Sequence, residues 1–203
     1  EGLALIRAAL APLGETYLQD MFRGIGNGWI DLYENMGKQS GAYSFCVYDV
    51  HPFILTNYDK QYESVSTLVH ELGHAMHSFY SSKKQAYINA EYSIFCAEVA
   101  SMTNENLLLE YMLKSVSDKE ERTYFLNQYL DQIRGAVYRQ VFFAEFEKIT
   151  HEMVENGQVL TADALEDLWL KLNHEYYGDQ VFVDDDIKSE WARIPHFYMD
   201  FYV

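Results

Sequence analysis

The chain has 203 residues, of which 49% are hydrophobic and 16% are aromatic. This length predicts one domain or a large piece of one, and the aromatic content excludes a mainly disordered chain. The 15 Lys and Arg residues stand against 31 Asp and Glu residues, which gives a formal net charge of −16. Such a charge argues against nucleic acids and anionic membrane surfaces as partners, because both are bound through Lys and Arg.

The cellular setting is predicted from what the sequence lacks. Two cysteines, Cys46 and Cys96, are too few for a disulfide framework and are typical of a reducing compartment. The sequence contains neither a run of 18 apolar residues nor a signal-peptide pattern. We therefore expect a cytoplasmic protein. Because the chain starts without Met and stops within an aromatic run, we also expect a fragment of a longer protein.

The first predicted elements in chain order are a helix and a small β element. Residues 14–36 have helical periodicity despite three glycines. Residues 42–48 and 53–58 are aromatic and β-branched, and a turn at residues 49–52 separates them. This pattern predicts two strands, for which a simple hairpin packed on the helices is the plainest interpretation.

The rest of the chain has helical periodicity almost to its end. Asn156-Gly157 is a plausible stop for one helix, and Thr161 is a plausible start for the next. The sequence therefore predicts a mainly α fold with a small two-stranded β element. The predicted helices cover residues 62–82, 90–115, 118–156 and 161–177.

The motif that carries chemistry is His70-Glu71-x-x-His74. Two histidines four residues apart lie one turn apart on one helix face, where both imidazoles can reach one zinc ion. Glu71 is rotated about 100° from His70, which places its carboxylate beside the ion to accept a proton from zinc-bound water. A helix that merely carries two histidines and a glutamate on its surface is the alternative.

A catalytic zinc needs a third protein ligand and an open fourth position. If one helix ends near Ser82 and the next begins near Asn89, His74 and Glu98 lie at nearly the same level of an antiparallel pair, to within about 2 Å. Glu91 would lie roughly 10 Å from that level and is the weaker candidate. Glu98 sits among small and apolar residues, where a carboxylate is costly unless it is paired or bound to a cation.

Three nearby residues have other predicted roles. Glu105 lies two turns beyond Glu98 on the same face and fits a carboxylate that orients a ligand histidine, although a plain surface glutamate is an equal alternative. His77 fits such a supporting position or packing better than a fourth ligand, which would close the site. Cys96 lies about 200° around the helix from Glu98, and we expect it to be buried by packing.

The sequence resembles the thimet oligopeptidase/oligoendopeptidase F family of zinc peptidases, and the oligoendopeptidase F branch most closely. The segments that carry the resemblance extend over nearly the whole chain, in the family's order. They are residues 37–44, 51–55, 70–78, 97–105 and 193–198.

The resemblance implies a zincin-type catalytic domain with one zinc, His70, His74 and Glu98 as its ligands, and Glu71 as the general base. It also implies an edge strand along which a peptide lies extended, which agrees with strand addition as a way of binding peptides. Further, it implies that a histidine and tyrosines after the last helices stabilise the tetrahedral intermediate. The residues that match are Phe53, Ile54, Leu55, Thr56 and Asn57 for the strand, and His196, Tyr198 and Tyr202 for the intermediate.

Taken without the family, His196 would more often be a core residue among aromatics. Family members are roughly two to three times longer, so residues 1–203 are expected to be a single catalytic domain fragment without the N-terminal region and the C-terminal end. The predicted function is zinc-dependent hydrolysis of internal peptide bonds in short oligopeptides. A zinc-containing but inactive peptide-binding module is the alternative.

Overall fold

The computed structural model describes residues 2–199 and residue 202. Contacts divide the chain into two compact units, Glu1–Phe125 and Leu126–Val203. The mainly α fold predicted from the sequence is confirmed. Seven α-helices run through the described residues: α1 (Gly2–Ala9), α2 (Glu15–Gly26), α3 (Tyr62–Lys84), α4 (Ile94–Ser115), α5 (Lys119–Ile133), α6 (Arg139–Glu155) and α7 (Ala162–Tyr177).

Helix α2 is shorter than predicted, because a Schellman motif ends it at Gly26. The N–H of Gly28 donates to the carbonyl of Ile25, and the N–H of Trp29 donates to that of Gly24. This motif needs a residue with positive φ, and Gly28 supplies it with φ +83°. The prediction of a helix over residues 14–36 is therefore wrong beyond Gly26.

The sheet has three strands instead of the predicted two. They are β1 (Ile30–Asp31), β2 (Tyr43–Phe45) and β3 (Phe53–Leu55), in the order β1-β3-β2. Strand β1 pairs with β3 in parallel, and β2 pairs with β3 in an antiparallel arrangement. The additional strand occupies residues that the sequence pattern assigned to a helix.

The core of the first unit forms around one face of α3. Its buried apolar residues recur at helical spacing, and α1, α2, β3 and α4 contribute the side chains that cover them. The fully buried members of this core include Ile6, Leu10, Met21, Ile54, Leu72, Met76 and Leu108.

Helices α3 and α4 run antiparallel, as the contacts along them show. Ser81 and Ser78 bond to Ala90 and Tyr92 just before α4, and Ser66 bonds to Glu105 within it, so the partner's number rises as the α3 number falls. Residues Tyr87–Asn89 form a turn of 3₁₀-helix between them. Helix α4 therefore begins at Ile94, four residues later than predicted.

The long helix predicted over residues 118–156 is interrupted by one wide turn. Helix α5 passes into a π-helical turn, Arg134–Tyr138, and continues as α6. The predicted stop at Asn156-Gly157 is confirmed. Thr161 caps α7 as predicted, with its hydroxyl oxygen accepting from the N–H of Ala164.

The second unit has an aromatic core. Phe142, Phe143 and Phe146 of α6 surround Trp169 of α7, and Phe197 packs against the same cluster. Among the described residues, no helix is both long enough and apolar enough to cross a membrane.

The close contact between α2 and Trp29 generates a prediction for stability. A Cβ atom on Gly24 would lie 2.4–2.6 Å from ring atoms of Trp29, which is buried. We expect Gly24→Ala to lower the free energy of unfolding by about 1–3 kcal/mol, because the ring has to shift within the core. Gly26→Ala is the matched control, since nothing lies within 4 Å of its Cβ position. Equal chemical denaturation curves for the two variants would contradict this packing argument.

Candidate metal centre and active site

His70 and His74 meet on one face of α3. Their Nε2 atoms lie 3.0 Å apart. Both side chains are mostly buried, with exposed fractions of 25% and 17%. The helix pitch places both side chains on one face, because residues four apart lie one above the other.

Glu98 reaches the same point from α4. Its Oε2 lies 3.5 Å from His70 Nε2, and its Oε1 lies 3.6 Å from His74 Nε2. Ligands arranged as a tetrahedron around zinc lie about 3.3–3.4 Å from one another. The observed separations of 3.0, 3.5 and 3.6 Å bracket that value, so this donor set fits a zinc ion.

Ser101 holds the Glu98 side chain. Its hydroxyl donates to Glu98 Oε2 at 3.0 Å and also lies 3.1 Å from the Glu98 carbonyl oxygen. Ser101 is fully buried, one turn of α4 beyond Glu98. The carboxylate is thereby directed toward the two histidines.

Glu105 lies behind His70, where the sequence places a carboxylate that orients a ligand. Its Oε2 is 3.5 Å from His70 Nδ1, and its Oε1 accepts from the hydroxyl of Ser66 at 3.5 Å. With Nδ1 directed at a carboxylate, Nε2 faces Glu98 and His74. This is the arrangement that fixes the tautomer and ring orientation of a metal-binding histidine.

The two histidines have pKa values that shift in opposite directions. Burial alone would lower the pKa of His70, but the hydrogen bond and charge of Glu105, together with the charges of Glu71 and Glu98, raise it. Burial and the positive charge of His70 lower the pKa of His74. His74 therefore favours the neutral form, which is the form that binds metals.

Glu71 is a buried carboxylate beside this cluster. Its exposed fraction is 7%, and its Oε2 has no hydrogen-bond partner among the residues that the structure describes. Burial is the main reason that the pKa of Glu71 rises to about 7, and the charges of Glu98 and Glu105 contribute to the rise. The group can therefore both accept and release a proton near neutral pH.

The remaining candidates on α3 and α4 have supporting or surface positions. The His77 ring stacks on Tyr92 with ring centroids 3.8 Å apart, and burial lowers its pKa. It is not part of the three-residue donor group. Glu91 is exposed. Cys96 is also exposed, so the expectation that packing buries it is wrong.

The predicted substrate strand does not lie at an edge of the sheet. Phe53, Ile54 and Leu55 form β3, which lies between β1 and β2. The N–H groups of Ile54 and Thr56 already donate to the carbonyls of Trp29 and Asp31. Since both sides of β3 are paired, an added peptide strand has no free backbone there.

The last two members of the predicted substrate strand also have partners. Thr56 is buried, and its hydroxyl donates to the Leu32 carbonyl. Asn57 Nδ2 donates to the carbonyls of Gln39 and Gly41. The expectation of an edge strand over residues 53–57 is therefore wrong, and the edges belong to β1 and β2.

His196, Tyr198 and Tyr202 lie in the second unit. The Tyr202 hydroxyl donates to Gln140 Oε1 at 2.8 Å and lies 3.5 Å from His196 Nδ1. The Tyr198 hydroxyl donates to the carbonyl of Ala192. Tyr198 is exposed, whereas the other two are partly buried.

Two buried residues near the donor group were not singled out from the sequence. One is Ser101, and the other is Asn104, whose Nδ2 donates to the Val69 carbonyl at 3.2 Å and to the Tyr17 hydroxyl at 3.2 Å. Their position one and two turns beyond Glu98 on α4 is the only signal in the sequence, and it gives no indication of what they contact.

The chain matches the sequence profile of peptidase family M3 over residues 3–203. It is 48% identical over 194 residues to oligopeptidase PepF of Bacillus subtilis, covering 96% of this chain and 29% of that protein. It is 46% identical over 203 residues to the chromosomal oligoendopeptidase F of Lactococcus lactis subsp. cremoris, covering 100% of this chain and 34% of that protein. The chain thus spans about a third of the length of these relatives.

Solved structures agree with this relationship. A putative peptidase from Chlamydophila abortus matches with a TM-score of 0.72 and 45% identity, over 100% of this chain and 34% of that one. Oligoendopeptidase-F from Enterococcus faecium matches with a TM-score of 0.59 and 36% identity, over 99% of this chain and 29% of that one. On its sequence and its fold, the chain belongs to peptidase family M3.

Proposed function

We propose that this chain is the catalytic portion of a zinc-dependent endopeptidase that hydrolyses internal bonds of short peptides. The observation that carries the proposal is the buried carboxylate of Glu71, one residue from a donor group that fits zinc. Membership of a peptidase family and relatives named as oligopeptidases support the same reaction and substrate class. The reaction and the cytoplasmic location expected from the composition are proposals for the whole protein.

One zinc ion would be held by His70, His74 and Glu98, with Glu105 orienting His70. When bound, zinc supplies Lewis acidity, which acidifies water and polarises a carbonyl group. Glu98 is 39% exposed at its side chain, so the donor group is not closed on every side. A structural site would require four protein ligands, and the group found among the described residues has three.

Glu71 is the proposed general base. It takes a proton from the attacking water and delivers it to the amine that leaves when the peptide bond breaks. Without metal, burial raises the pKa of Glu71 to about 7, and a cation bound beside it would favour the carboxylate, so the form that accepts a proton is present at neutral pH. Since Oε2 has no other partner among the described residues, it is available to a water molecule.

His196, Tyr198 and Tyr202 are proposed to donate hydrogen bonds to the oxyanion of the tetrahedral intermediate. The support is the resemblance of this segment to the family, together with side chains that end in donors. In the structure the Tyr198 and Tyr202 hydroxyls donate to other acceptors of the second unit. A substrate oxygen would have to replace those acceptors.

The peptide is proposed to add to the sheet along β2 instead of β3. Strand β2 is an edge strand, and residues 43 and 45 are exposed while Ser44 is partly buried. Backbone hydrogen bonds to such an edge bind an extended peptide with little demand on its side chains. This mode of binding suits an enzyme that accepts varied oligopeptides.

The first prediction concerns the role of Glu71. With zinc bound, Glu71→Gln should reduce cleavage of an internally quenched oligopeptide by about three orders of magnitude or more, because the amide cannot accept a proton. Zinc content, measured by atomic absorption, should stay at that of the parent chain. Glu91→Gln is the matched control, since Glu91 is exposed and lies outside the donor group.

Two results would count against this role. Retained cleavage in the zinc-loaded Glu71→Gln variant would exclude Glu71 as the base. Zinc-loaded intact protein with Glu71 present that binds the peptide without cleaving it would favour the alternative, an inactive peptide-binding module.

The second prediction concerns stability without metal. Because the folded chain raises the pKa of Glu71 from 4.5 to about 7, folding binds a proton between these values, and the stability contribution of Glu71 falls as pH rises through this window. Metal-free Glu71→Gln should therefore be more stable than the parent above pH 7, by up to about 3 kcal/mol. Below about pH 4.5 the Glu71 side chain is protonated in both the folded and the unfolded chain, so the difference in stability between the parent and the variant should vanish. Urea denaturation at pH 8 and pH 4.5 measures it, and a difference independent of pH would contradict the argument.

A further inference from the structure

The backbones of α3 and α4 touch at Gly73 and Ser101. A Cβ atom built on Gly73 would lie 2.6 Å from Ser101 Cα, 2.9 Å from Ser101 N and 2.9 Å from the carbonyl oxygen of Ala100. All three are backbone atoms, so no side-chain rotation can relieve the overlap. An alanine at position 73 would require α4 to move away from α3 locally.

The size of this movement follows from ordinary contact distances. Van der Waals contact of a Cβ begins at 3.4 Å, so the 2.6 Å approach to Ser101 Cα is about 0.8 Å too short. Ligand distances in a metal site tolerate about 0.2 Å. The displacement forced by one methyl group is therefore several times what a zinc site accepts.

The contact between Gly73 and Ser101 lies close to the proposed zinc ligands of both helices. Gly73 directly precedes His74 on α3, and Ser101 follows Glu98 by one turn of α4. The Ser101 hydroxyl donates to Glu98, so the same residue that meets Gly73 also directs the carboxylate. Whatever displaces the Ser101 backbone also displaces Glu98.

A second link lies one turn of α4 after Ser101 and one turn of α3 before Gly73. Asn104 is 2% exposed, and its Nδ2 donates to the carbonyl of Val69, the residue before His70. The two links hold α4 to α3 at the levels of both histidines. They prevent the helices from pivoting about a single point.

We propose that Gly73 is a positioning residue, whose missing side chain sets the distance between Glu98 and the histidine pair. Ser101 transmits that distance to the carboxylate. The inference rests on the proposed zinc site and goes beyond it, because it explains why the third ligand reaches the ion. Gly73 itself contributes no ligand and no proton.

Zinc affinity of the full chain, measured by competition with a chromophoric chelator, tests the proposal. Gly73→Ala should weaken zinc binding by about 10- to 100-fold, the usual effect of disturbing residues behind the ligands. The absorption spectrum of the cobalt(II)-substituted chain should also change, because it reports the coordination geometry. Gly24→Ala is the control for crowding alone, since its methyl group meets Trp29 and none of the donor group. It should lower stability but leave zinc affinity and the cobalt spectrum unchanged.

A double-mutant cycle separates this role from general destabilisation. If Gly73→Ala acts through Glu98, it should change zinc affinity less than about threefold in a Glu98→Ala background. The same full loss in both backgrounds would overturn the inference. Parental affinity in folded Gly73→Ala would overturn it as well.

Ser101→Ala keeps the test decisive if Gly73→Ala does not fold, because it removes the hydroxyl without adding an atom. It should weaken zinc binding several-fold in the parent and not in the Glu98→Ala background. Parental affinity in this variant overturns the inference. A parent chain that binds no zinc, or whose affinity does not depend on Glu98, refutes the proposed zinc site instead.

Discussion

The distance between α3 and α4 is the constraint on which the candidate site depends. The two histidines come from one helix, so the helix pitch fixes the spacing of their backbone positions. The carboxylate comes from the other helix, and its distance depends entirely on how the helices pack. Direct backbone contact at Gly73 and the hydrogen bond from the buried Asn104 side chain to the Val69 carbonyl fix that packing. Rigid elements of this kind position ligands more accurately than loops do.

The charges around this contact are unbalanced without a cation. Three carboxylates, from Glu71, Glu98 and Glu105, surround two histidines that carry positive charge only when protonated. Folding brings these carboxylates together and buries one of them, at a cost in stability that packing elsewhere in the unit must offset. A divalent cation at the donor group offsets the same charge directly. The cluster is therefore an arrangement suited to binding a metal more than to stabilising the fold.

Much of this site follows from the sequence because the rise per residue in a helix does not depend on where the helix ends. Helix α4 begins four residues later than predicted, yet Glu98 still lies opposite His74, because the facing contacts set the register. Other features have no such rule. Strand β1 is two residues long, too short for an alternating pattern, and it was absorbed into a predicted helix. The contact of the Ser101 backbone with Gly73 depends on how α3 and α4 pack, and no sequence pattern predicts it.

Because β3 is central in the sheet, a peptide strand can add only at an edge strand, and the edge strand β2 is attached to α3. Ile54 of the central strand is buried in the core that forms on α3, so the sheet is attached to the helix that carries the histidines. Strand β2 pairs with β3 and contacts α3 itself, and the Tyr48 hydroxyl beyond it donates to the Gln85 carbonyl just after that helix. A peptide added along β2 would thus be positioned by α3, as the donor group is. Peptide and metal would then share one rigid frame, which is the condition for bringing a scissile bond to a fixed place.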